Sequence, residues 1–74
     1  MKRTPRWIIK VYGAEHGMPH FHLLCPEDRA VVAIADGEIL AGRVPKKRLT
    51  EARAWADSHR DALFDEWRKL NPTL

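Results

Sequence analysis

The stretch Pro45-Lys46-Lys47-Arg48-Leu49-Thr50-Glu51-Ala52-Arg53-Ala54-Trp55-Ala56-Asp57-Ser58-His59-Arg60-Asp61-Ala62-Leu63-Phe64-Asp65-Glu66-Trp67-Arg68-Lys69-Leu70-Asn71-Pro72 decides the fold class. Leu49, Ala52, Ala56, Leu63, Trp67 and Leu70 recur at three- and four-residue steps, with Trp55 and Ala62 at the edge of the stripe. Pro45 suits the first helical position, and Asn71-Pro72 ends the pattern. The spacing predicts one long amphipathic helix over about residues 46–70. Two features depart from the pattern. His59 and Glu66 fall inside the apolar arc, and Lys46, Lys47 and Arg48 crowd the first turn, where the helix dipole disfavours cations.

Upstream of the helix the period changes from helical to alternating. Trp7, Ile9 and Val11 share one strand face; Phe21, Leu23 and Cys25 share another, with His20, His22 and Leu24 opposite them. The expected strands are Arg6–Tyr12, His20–Cys25, Arg29–Ala35 and Glu38–Ala41. Gly13, Gly17-Met18-Pro19, Pro26-Glu27-Asp28-Arg29 and Asp36-Gly37 punctuate them as turns. The short connections call for an antiparallel meander. The fold class is therefore α+β: an antiparallel sheet of three to four strands, one face packed on one long C-terminal helix. Phe21 and Leu23 should face the helix, leaving His20, His22 and Leu24 on the open face. The reverse arrangement would carry the histidines toward His59 and Glu66.

The chain has 74 residues, room for a single domain over 1–74. A core this thin often leans on a disulfide, a metal or a partner. One cysteine, Cys25, rules out an internal disulfide and suits a reducing, cytoplasmic setting. The longest apolar run, Ala30–Ala35, is far too short to span a bilayer. No signal-peptide core is visible, so neither a membrane location nor export is expected. The net charge is +3 and the isoelectric point about 9.4. The charge is unevenly spread: Lys2, Arg3, Arg6 and Lys10 load the N-terminus, while Asp57, Asp61, Asp65 and Glu66 make the late helix acidic. Such asymmetry suits docking to a charged partner.

The chemically distinctive segment is Glu15-His16-Gly17-Met18-Pro19-His20-Phe21-His22. His20-x-His22 puts two imidazoles on one face of a strand, and His16 with Glu15 can fold back from the loop. Glu15, His16, His20 and His22 are thus candidate ligands for zinc or another divalent metal. Imidazole also trades protons near neutral pH, which makes His20 and His22 candidate catalytic groups. The plain alternative is a set of surface or partner-facing histidines. Strand alternation turns Cys25 away from them, so it reads as a core thiol. Of Trp7, Trp55 and Trp67, at least two should be core, Trp67 above all. Arg43, Lys46, Lys47 and Arg48, at a helix N-terminus, form a candidate anion or nucleic-acid site. No helix-turn-helix, zinc finger or aromatic RNA-binding motif accompanies them.

The string Glu15-His16-x-x-Pro19-His20-x-His22, followed by hairpins and a C-terminal helix carrying Leu49, His59, Arg60, Leu63 and Trp67, resembles the bacterial domain of unknown function 4160 family. The resemblance runs from about Trp7 to Leu70. The usual motif has two prolines before the histidine; here Met18 stands in place of the first. The resemblance implies a small bacterial cytoplasmic protein, with genes often beside another small uncharacterised domain, in a toxin–antitoxin-like arrangement. It also implies that the positions of Glu15, His16, His20 and His22 are used.

Two functions follow as expectations. One is an interaction module, half of a two-gene pair, binding a protein partner or a second copy of itself through a surface that includes the histidines. The other is a histidine-dependent or metal-assisted hydrolase, with RNA as the first substrate to test and nucleic acid as the corresponding partner.

Overall fold

The computed structural model describes residues Met1–Pro72. The chain runs β1 (Lys2–Arg3), β2 (Ile8–Lys10), β3 (His20–Leu24), β4 (Arg29–Ala33), β5 (Ile39–Arg43), α1 (Lys46–Ser58) and α2 (Arg60–Leu70). The strands form one antiparallel sheet in the order β1-β2-β3-β4-β5, an uninterrupted meander. The class is α+β as expected, with one more strand and one more helix.

The extra strand arises from a turn. The hydroxyl of Thr4 accepts from the backbone N–H groups of Arg6 and Trp7, at 3.2 and 3.0 Å, and the Thr4 N–H donates to the Trp7 carbonyl at 2.8 Å. This reverses the chain at Pro5, so Lys2–Arg3 lies back on Ile8–Ile9. At the far edge, β5 carries a bulge against Val31/Val32. Gly42 there has φ +74°, and a Cβ on it would stand 2.4 Å from the Arg29 carbonyl oxygen. Only glycine fits that position.

The expected single helix is two. His59 leaves the helical region at φ −127°, ψ 25°. Its imidazole Nδ1 lies 2.7 Å from the Trp55 carbonyl, the acceptor its own backbone N–H would use in an unbroken helix. That N–H turns instead to Ala56, one residue nearer, and the ring stacks on Trp55 with centroids 4.1 Å apart. The out-of-pattern histidine is therefore the break. Exposed, it meets neither the sheet nor a bonded Glu66 among the described residues.

The helices cover one sheet face. Ile9, Phe21, Leu23, Ala30 and Val32 meet Leu49, Ala52, Ala56, Leu63 and Trp67 in a single core, closed by Trp7 and Ile34. Trp7 and Trp67 are buried; Trp55 is half-buried at the margin. Two arginines hook the helices to backbone carbonyls beyond β4: Arg53 Nε donates to Gly37 at 2.7 Å and Arg60 Nε to Ile34 at 3.1 Å. No helix among the described residues is long and apolar enough to cross a membrane.

Leu63 has no exposed surface and sits where α2 meets the sheet. Leu63→Ala should lower the unfolding free energy by about 2–5 kcal/mol, the usual cost of emptying a buried leucine site. Urea denaturation followed by circular dichroism checks this; a midpoint unchanged from the parent would contradict the packing described.

Candidate functional site

The site is built where β3 begins, from one loop and two strand positions. Glu15 lies in the loop after β2 and meets both histidines through the same oxygen. Its Oε1 is 2.5 Å from His22 Nε2 and 3.3 Å from His20 Nε2. His20 and His22 share a strand face, their ring centroids 5.4 Å apart. Glu15, His20 and His22 each offer a ligand atom, all within 4.8 Å of one another. The hydrogen bond from His22 holds the Glu15 carboxyl below the usual carboxylate range, against the opposing effect of burial, and His20 acts in the same sense.

His20 is not on an open face as expected. It is buried, because the second helix lies against the end of the sheet where β3 starts. The Trp67 ring stands 4.7 Å from the His20 ring. Its Nδ1 is 2.9 Å from the Met18 carbonyl, a pure acceptor, so that nitrogen donates. His22 is half-buried, its ring edge-on to Tyr12 at 4.7 Å. Beyond it opens a shallow cleft of about 230 Å³, lined by His22, Arg29, Ala30, Val31, Ala41 and Gly42.

The loop that presents Glu15 is fixed by a residue read in the sequence only as a helix stop. Asn71 caps α2 and is buried. Its Nδ2 donates to the Tyr12 carbonyl at 3.0 Å and to Trp67 at 3.1 Å, while its Oδ1 accepts from the Glu15 N–H at 2.9 Å. Between these anchors Ala14 takes a left-handed conformation, φ 57°, unfavourable for a residue with a Cβ. An Asn beside a Pro after a helix carries no sequence signal beyond termination, so the anchoring was invisible there.

The remaining candidate residues are placed elsewhere. His16 is exposed and outside the group formed by Glu15, His20 and His22. Arg43, Lys46 and Lys47 are exposed. Arg48 is partly withdrawn from the basic knot, since it donates to Glu51 at 2.8 Å, and the same Glu51 oxygen accepts from Trp7 Nε1 at 3.1 Å. Cys25 lies just past β3, half-buried against the core edge, and its N–H closes the turn to Asp28 at 2.8 Å.

The family model of a domain of unknown function, DUF4160, matches residues 7–68, a span that includes the whole Glu15–His20–His22 group. The chain belongs to the DUF4160 family. No curated protein and no solved structure matches it. The matched span holds β2 to β5, α1 and most of α2, so the helix that carries Trp67 and the strand that carries both histidines are part of the shared unit. Asn71, which fixes the Glu15 loop in this DUF4160 chain, lies just beyond it.

Two outcomes follow. Asn71→Ala leaves the Tyr12 carbonyl and the Glu15 N–H, both near solvent, without their partner; the expected loss is about 0.5–1.5 kcal/mol per hydrogen bond. Thermal melting with histidine side-chain NMR should show a lower midpoint and altered His20 and His22 signals together. Burial, then the negative charge of Asp28, pushes the Cys25 thiol up from its ordinary range. The neutral thiol is thus favoured in the folded state, and alkylation at neutral pH should be slower than in urea and accelerate only as the medium becomes alkaline. Equal rates in both states would contradict this placement.

Proposed function

We propose that this DUF4160 chain is an interaction module, one half of a two-gene toxin–antitoxin-like pair, whose protein partner docks on the sheet face that the helices leave open. The observation that carries this is the composition of that face. Its cross-strand rows read Arg3–Ile8–Leu24–Arg29–Arg43 and Lys10–His22–Val31–Ala41. Cations flank an apolar centre, and no strand contains an acidic residue. All five residues of β5 are exposed, Ile39 and Leu40 among them, so the sheet also ends in an unpaired edge. An antiparallel sheet tolerates a solvated face, yet a free edge with apolar side chains invites pairing with another chain. The partner that fits presents acidic groups around an apolar contact. Arg43, from the basic knot, belongs to this surface.

The test is charge reversal. The double variant Arg29→Glu with Arg43→Glu should weaken capture of the partner from the native host by at least about tenfold and remove its salt dependence, since paired surface charges are screened by added salt. Undiminished capture by the double variant would overturn the docking face. A twofold mass in light scattering, abolished by the same variant, would identify the partner as a second copy.

A second reading, histidine-dependent hydrolysis with RNA as first substrate, is favoured by one observation. His22 lies between the Glu15 carboxylate and the adjoining cleft, the placement of a general base oriented by an acid. Cleavage of a model RNA that is lost in His22→Ala supports this reading; its absence in the parent retires it.

A further inference from the structure

We infer that Glu15, His20 and His22 form a binding site for a single divalent transition-metal ion of the zinc class. The argument starts from the protons of His20. Its Nδ1 faces the Met18 carbonyl at 2.9 Å and its Nε2 faces the Glu15 carboxylate at 3.3 Å. Both partners are acceptors, and a neutral imidazole has one N–H. With Nδ1–H committed to the carbonyl, the Nε2 lone pair points at a carboxylate oxygen. The contact is favourable only when a cation stands there, either a second proton or a metal ion. A metal-binding histidine characteristically donates its other N–H to a backbone carbonyl, which fixes the tautomer and the ring direction. Met18 does this for His20.

One edge of the group already has the length that a bound ion requires. Two ligands, each at about 2.0–2.1 Å from zinc in a tetrahedral array, stand about 3.3–3.4 Å apart. The His20–Glu15 separation of 3.3 Å already matches that edge. The His22–Glu15 separation of 2.5 Å is that of a hydrogen bond, and a small rotation of either side chain opens it. Each ligand has a support of its own: Asn71 holds the Glu15 backbone, Trp67 packs on His20, and Tyr12 meets His22 edge-on. Two imidazoles and one carboxylate are a donor set of borderline character, suited to zinc rather than to calcium or magnesium. The His22 and Glu15 side chains keep 23% and 28% of their surface exposed. That leaves the ion a face toward solvent, where a water molecule or a partner's side chain completes the shell. The site shares His22 with the proposed docking face but rests on different observations, and either proposal can fail without the other.

The test is calorimetric titration of the full chain with zinc chloride, paralleled by cobalt(II) absorption, which reports tetrahedral coordination. The expected result is one ion per chain. Glu15→Gln and His22→Gln should each reduce affinity by at least about tenfold, while His16→Ala leaves it within about twofold, because His16 lies outside the ligand set. His20 is buried on Trp67, so the two half-buried positions carry the test, with circular dichroism confirming that both variants fold. Zinc should also raise the melting temperature of the parent and not that of Glu15→Gln. No zinc heat in the folded parent, or variants binding as tightly as the parent, would overturn the site. A large loss in His16→Ala would move the ligand set to the loop and overturn it as drawn.

Discussion

One side-chain amide ties the last helix to the loop that precedes β3. Asn71 finishes the second helix, and the same amide satisfies a carbonyl and an N–H of the loop between β2 and β3. Without those bonds the Glu15 backbone would lose its anchor, leaving the contacts of its carboxylate with His20 and His22 to hold the loop, and Ala14 would lose the restraint that flanks its left-handed backbone. The last helix therefore packs on the core through Leu63, sets Trp67 at a tilt against His20 and fixes the loop through Asn71. Packing and chemistry share one element, so a change that loosens the second helix reaches the site as well.

The second organising feature is the segregation of charge. Acidic residues are confined to turns, loops and helices, while the strands carry cations alone. On the helix side, acids and bases pair locally: Arg60 with Asp57, Arg68 with Asp65, Arg48 with Glu51. Such exposed pairs contribute little to stability. The helices together still hold seven cations to five acids, whereas the strands hold five lysines and arginines and no acid, so the sheet is the more one-sidedly cationic surface. The histidine–carboxylate group lies at one end of that side, next to its shallow cleft, and a molecule docked on the sheet would meet it.

The α+β class, the meander and the apolar stripe were legible because they rest on periodicity, which single residues rarely disturb. The helix break at His59 was not legible: it comes from a side chain capturing a carbonyl four residues back, with neither Gly nor Pro to mark it. The Thr4-Pro5 turn had a signal, a hydroxyl before proline, yet a two-residue strand beyond it is too short to show alternation. At the site, the spacing His20-x-His22 correctly placed two rings on one face. It could not show that the carboxylate of Glu15, rather than the ring of His16, would turn inward, because that choice is made by Asn71, 56 residues away.

That separation in sequence sets an order of assembly. The meander forms through neighbouring hairpins, whose loops are short and cheap in chain entropy. The Asn71 bonds close loops of 56 and 59 residues, the longest-range side-chain hydrogen bonds among the described residues, and longer loops lose more entropy on closing. The two imidazoles are thus lined up as soon as β3 pairs, whereas the carboxylate is locked beneath them only when the end of α2 docks. In the folded chain the carboxylate thus sits beneath the two imidazoles through contacts that join residues far apart in the sequence, whereas the imidazoles owe their alignment to one strand.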